Sequence, residues 1–146
     1  MNTEIIKKAG EIIYQNTVHQ SPDGSEPYCA LALINQEGYP TVSTITPSKS
    51  DGINWVTFCS GLGSSKAQRI EKCDRASLCF NKDGAYNITL VGTMEIITDP
   101  AVKKEMWYAG MSNHFSGYDD PNYCIFRFTT KSYNLLVDWK EAKGTL

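Results

Sequence analysis

The chain has 146 residues, of which 41% are apolar and 21% charged; that is about one domain, here taken as 1–146, with enough apolar mass for a core, and it excludes a disordered chain. Fourteen Lys and Arg against sixteen Asp and Glu leave a net charge of −2, which argues against an extended nucleic-acid or anionic-membrane surface. The longest apolar run, Cys29 to Ile34, is far short of the roughly 20 residues of a membrane span, and the N-terminus lacks a signal-peptide core, so a cytosolic protein is expected.

Ile5, Ile6, Ala9, Ile12 and Ile13 recur at helical spacing and predict a helix over 3–16, weakened but not ended by Gly10. Segment 17–27, with Pro22, Asp23-Gly24 and Pro27, reads as loop. Strands are then predicted at 28–34, at the alternating Thr41 to Thr46, and at Asn54 to Ser60, with Pro47 and Asp51-Gly52 as a turn between the last two. A short helix follows from Ser65 to about Cys73, with Ser64 as its N-cap. Strands at 75–81 and 86–97 come next, the second holding Gly92 as a bulge or barrel corner. Asp99-Pro100 starts a helix reaching about Met111, and 113–122 is a polar loop. Tyr123 to Thr129 and Tyr133 to Trp139 are the last two strands, and 140–146 is a frayed tail. Short strands with tight turns and few helices, without a βαβ rhythm, predict a mainly β antiparallel barrel decorated by helices.

Gly61-Leu62-Gly63-Ser64-Ser65-Lys66 leaves a strand and opens a helix. Free amides, the helix dipole and a lysine together suit a phosphate, and Arg69 lies one turn further on. The Gly-to-Lys spacing is not that of a Walker A loop, and an ordinary capped helix explains the pattern as well. The hydroxyls of Thr41 to Thr46 fall on both faces of their strand, which suits a site lining or an exposed edge equally. Five cysteines, an odd number without a CxxC pair, read as reduced and mostly buried thiols, and no metal site is expected with His19 and His114. Cys59 has no histidine near it in sequence, so a catalytic thiol is not expected; His114 reads as a surface histidine and Trp139 as a core or dimer contact.

The ordered set Gly61 to Glu71, Arg75 to Phe80, Asn87, Val91-Gly92 and Glu95 resembles the flavin-binding region of pyridoxamine phosphate oxidases. Asp99-Pro100, Trp107, Asp120-Pro121 and Val137-Asp138-Trp139 look more like the smaller general stress protein branch, so the resemblance covers about residues 28–139. It implies an antiparallel split β-barrel homodimer with FMN in two interface clefts. By the same resemblance Ser65 and Lys66 would hold the FMN phosphate, and Ser43, Thr44, Ile45 and Thr46 would run along the ring and ribityl chain. Cys59 and Ser60 would flank the ribityl chain and phosphate, Asn87 would reach the flavin ring, and Trp139 would approach it from the other subunit.

The chain departs from the family where Ser43 and Ser65 replace basic residues, where Ser48 (beside Lys49) replaces a substrate lysine, and where no Arg-x-His follows Trp139. Vitamin B6 phosphate oxidation is therefore disfavoured, because its phosphate clamp is missing. The expected function is a flavin-dependent oxidoreductase acting on a small-molecule substrate that the sequence does not name. The alternatives are a non-catalytic flavin carrier or sensor, and the same barrel holding haem or deazaflavin, where haem would need His19, His114 or a cysteine as axial ligand.

Overall fold

The protein's structure, a computed structural model, describes residues 2–18 and 26–146. His19, Pro22 and Asp23-Gly24 lie outside the described residues. Helix α1 (Asn2–Gln15) opens the chain. Strands β1 (Cys29–Ile34), β2 (Pro40–Ile45), β3 (Pro47–Asp51) and β4 (Trp55–Gly61) precede α2 (Ser65–Lys72). Then come β5 (Arg75–Lys82), β6 (Tyr86–Ile97), α3 (Pro100–Met106), a 3-10 turn at Ala109–Asn113, β7 (Tyr123–Val137) and β8 (Lys140–Thr145). No helix among the described residues is long and apolar enough to cross a membrane.

All eight strands form one antiparallel sheet in the order β2-β1-β5-β6-β7-β4-β3, with β8 also on β7. Strands β2 and β3 stand at opposite ends of that path, yet only Thr46 separates them in sequence. One residue spans only about 3.3–3.6 Å. The sheet must therefore curl until its edges meet, which makes it the split barrel expected. Cysteine, leucine and phenylalanine side chains on alternate positions of β1, β4, β5 and β7 fill it, including Leu31, Leu33, Phe58, Leu78, Phe80, Phe126 and Phe128. Ala9 and Ile13 of α1 close one side, and Ala67 and Ile70 of α2 another. Gly10 is where α1 comes closest: a Cβ there would stand 2.9 Å from Gly52 Cα, so this glycine serves helix packing.

Strand β7 begins with four buried residues in a row, Tyr123 to Phe126. Cys124 and Phe126 face the barrel core, while Tyr123 and Ile125 face a second cluster with Met106, Trp107 and Phe115. This half of the strand is buried on both faces, which is why its apolar residues do not alternate with polar ones.

Several expectations are corrected. The predicted turn at Pro47 is strand β3, its polar Ser48 fully buried and hydrogen-bonded to Thr57 across the pair (Oγ to Oγ1 2.8 Å). Proline at the first residue of a strand costs no ladder bond, so Pro47 does not stop it. The two predicted final strands are one strand, β7. It continues through a bulge at which Lys131 is left without a partner between Thr130 opposite Gly92 and Ser132 opposite Val91. Residues 140–146, expected to fray, supply β8, paired with β7 from Val137↔Lys140 to Ser132↔Thr145. Trp139 therefore does not end a strand; with Asp138 it forms a two-residue hairpin loop, both at positive φ (63° and 51°). Finally, α3 stops at Met106 rather than Met111, because Trp107 turns extended. Its predicted start holds, with Ala101 N–H donating to Asp99 Oδ1 at 2.9 Å.

Candidate functional site

The C-terminal end of β4 runs into Gly61-Leu62-Gly63 and then α2. Ser64 caps the helix as expected, its Oγ accepting from Ala67 N–H at 3.1 Å, and its carbonyl accepts from Gln68 N–H at 3.2 Å. Ser64 N–H is used inside the turn, on Gly61 O at 3.1 Å. The amides of Ser65 and Lys66 are left without a hydrogen bond among the described residues. Two donors at the positive end of a helix are thus open to an anion. Lys66, half-buried beside them, makes no ion pair among the described residues.

Next to this turn lies a cleft of about 560 Å³, within the roughly 300–1,000 Å³ of small-molecule sites. One wall is Thr46, Cys59, Ser60 and the glycine turn; the other is Tyr108, Met111, His114 and Phe115 from the 107–115 segment, with Glu26 at its rim. Burial pushes the Cys59 thiol up to about 11, against the lowering effect of its hydrogen bonds to Tyr123 and Ser48. It therefore stays protonated near neutrality and donates to Met106 O at 3.3 Å, so it presents a soft neutral surface and no thiolate nucleophile. The Tyr108 hydroxyl is pushed up as well, by burial first and then by Cys59 and Glu26. Behind this wall Tyr123 donates to Lys103 O at 2.9 Å, and the buried Lys103 ammonium reaches Asp120 O at 3.1 Å.

The ten predicted site residues fall into separate places. Thr46, Cys59 and Ser60 line the cleft, and Ser65 and Lys66 open the helix beside it. Ser43 and Ile45 pair with Leu31 and Cys29 and share their inward face, with Ile45 packed on the core. Thr44 turns outward with the exposed Val42. Asn87 and Trp139 line a different and smaller cavity, about 200 Å³, with Tyr86 and Leu136. There the Asn87 Oδ1 accepts from Cys79 Sγ at 3.2 Å and Asn81 Nδ2 at 3.3 Å.

Sequence reasoning missed the whole second wall. His114 is exposed, as its place in a polar loop implies, yet it borders the cleft. Asn122, whose Oδ1 accepts from Gly63 N–H at 3.0 Å, carried no sequence signal beyond its place after Asp120-Pro121. Nothing in a polar loop of this kind announces which of its side chains will fold back.

Solved structures share the fold over essentially the full length. A Clostridium acetobutylicum protein described as related to general stress protein 26 of B. subtilis superposes with a TM-score of 0.77 at 23% identity, covering 100% of this chain and 96% of that one. General stress protein 26 from Bacillus anthracis gives 0.74 at 14% identity, covering 95% and 98%. A haem-binding protein from Mycobacterium smegmatis gives 0.72 at 16% identity, covering 97% of this chain and 57% of that one. No curated protein sequence matches. The sequence profile of pyridoxamine 5'-phosphate oxidase matches residues 20–136, and the chain belongs to that family.

Proposed function

We propose that the chain is a cytosolic FMN-binding homodimer, and that it acts as a flavin-dependent oxidoreductase on a small-molecule substrate. The observation that carries this reading is the pair of amides at Ser65 and Lys66 left unused among the described residues, beside a lysine unpaired among them and a cleft of cofactor size. The donor set suits a phosphate: two backbone N–H groups, the helix dipole and one ammonium, with Arg69 a turn away. Together they stand in for the cations absent at Ser43 and Ser65. FMN, when bound, supplies two-electron transfer at its ring. The chain's own residues would bind and orient it: Thr46, Cys59 and Ser60 along one wall, Phe115 and Tyr108 along the other. Asn87 and Trp139 lie in a separate cavity of the same protomer, and an interface site would bring that half from the second copy.

The test is a visible spectrum of the freshly purified protein followed by FMN titration. Flavin bands and saturable binding are expected, with Lys66→Ala weakening affinity by about 1.5–3 kcal/mol for one lost charge-assisted bond. Unchanged affinity in that variant would remove Lys66 from the site. Stopped-flow reduction by NADH or NADPH, then reoxidation by candidate acceptors, separates an enzyme from a flavin carrier. A second reading, haem in the same cleft, is favoured by one observation: His114 borders it and offers an imidazole ligand. A haem-type spectrum in the purified protein would select it.

A further inference from the structure

We infer that Asn122 is a positioning residue that sets the glycine turn at the anion end of the cleft. The inference rests on the FMN reading and adds to it a residue from the cleft's second wall. Asn122 takes two successive amides of the turn. Leu62 N–H donates to its main-chain oxygen at 2.7 Å, and Gly63 N–H donates to its Oδ1 at 3.0 Å. The next amide, Ser64, is used on Gly61 within the turn. So the first amides left over are those of Ser65 and Lys66, which is where the phosphate donors are needed.

Gly61 makes room for this side chain. A Cβ at Gly61 would stand 3.1 Å from Asn122 Nδ2, tighter than side chains ordinarily tolerate, whereas one at Gly63 would make an ordinary contact, 3.5 Å from Oδ1. Asn122 is in turn anchored. Its N–H donates to Asp120 Oδ1 at 2.9 Å, and Asp120 Oδ2 accepts from Ser116 N–H at 3.0 Å. The Asp120 main-chain oxygen accepts from the buried Lys103. A continuous line of hydrogen bonds therefore runs from α3 to the turn, and Asn122 is its last member. An amide suits the post: it accepts the Gly63 N–H without placing a negative charge beside a phosphate.

The experiment measures FMN and riboflavin affinities of the full chain, since the two ligands differ only in the phosphate. Wild type is expected to prefer FMN. Asn122→Ala loses the Gly63 acceptor and should weaken FMN about tenfold while leaving riboflavin unchanged. Asn122→Asp keeps the acceptor and should melt like wild type, yet lose FMN selectively by charge repulsion, which tests that residue 122 stands at the anion end even if the alanine variant does not fold. Equal losses for both flavins, or a wild-type FMN-to-riboflavin ratio in the folded variants, would overturn the inference alone. A wild type that binds neither flavin overturns the FMN reading and this inference with it.

Discussion

Gly92 lies where β6 crosses the bulge in β7, and the backbone there is already in contact. A Cβ at this position would run into the Thr129 carbonyl. Thr129 cannot retreat, because it is paired with Trp55 on one side and Thr93 on the other. Gly92→Ala should therefore cost about 1–3 kcal/mol, as overpacking against fixed atoms does. Thermal unfolding measures it, and a melting temperature equal to wild type would show that the bulge is looser than the structure has it. The buried thiols make a second prediction at this scale. Burial raises Cys59 to about 11, and burial with help from Cys79 raises Cys29 to about 12, from an ordinary 9.0. A raised pKa means that the folded chain holds the proton more tightly than the unfolded one. Their contribution is complete below pH 9 and is lost as pH rises toward 11. Denaturation midpoints should fall over that range. A midpoint that is flat to pH 11 would mean that these thiols are solvated.

At the scale of elements, what could be read from the chain depended on whether an element's own residues carried its pattern. Strand β1 is a continuous apolar run, and β5 and β6 alternate in their own residues because one face meets the core, so the bounds of all three were legible within two residues. The polar β3 and β8 owe their strand state to pairing with their hairpin partners β4 and β7, and Pro47 and the lysine-rich 140–146 gave no sign of it in their own residues. The cleft divided in the same way. The glycine turn and its Ser64 cap were legible because capping is local, while the 107–122 wall is held by long-range bonds that no spacing encodes. That wall carries a pH prediction. Hydrogen bonds from the amides of Asn122 and then Ser116 hold the Asp120 carboxyl below its ordinary 3.8. Its contribution is present above that value and is lost as pH falls below it. Protection of the Ser116 and Asn122 amides against hydrogen exchange should fall in that acid range in wild type, and at all pH values in Asp120→Ala. Protection unchanged in Asp120→Ala would show that the loop has another anchor. The β7–β8 hairpin makes the opposite trade. Trp139 takes a left-handed conformation, φ 63°, while 78% exposed. Left-handed backbone costs a side-chain-bearing residue about 1–2 kcal/mol. Trp139→Gly should therefore raise the stability of the isolated protomer by about 1 kcal/mol and weaken flavin binding, as read by denaturant titration and flavin fluorescence. Loss of stability in that variant would mean that Trp139 packs on its own chain.

For the whole molecule, the sheet's register aligns the outward side chains of four strands into flat rows. Val42, Ala32, Ser77 and Val91 form one row, and Thr44, Ala30, Cys79 and Thr89 the next. All eight are small or β-branched. Val42 is 71% exposed and Val91 44%, and Trp139 stands out beyond β7. A monomer spends solubility to carry such a face, whereas a symmetric pair buries it twice over. Under the proposed reading the same pairing would bring the Asn87–Trp139 half of one protomer to the cleft of the other, so assembly and cofactor affinity become one equilibrium. Val42→Asp places a charge at the β2 edge of the outer face without touching the core or the glycine turn. It should convert a dimer to monomer in sedimentation equilibrium while leaving the far-ultraviolet spectrum of the barrel unchanged. FMN affinity should fall with it, and raising the protein concentration should restore both together, because ligand and partner then stabilise the same assembled state. A monomeric variant that still binds FMN as wild type does would separate the two and place the entire cofactor site within one chain.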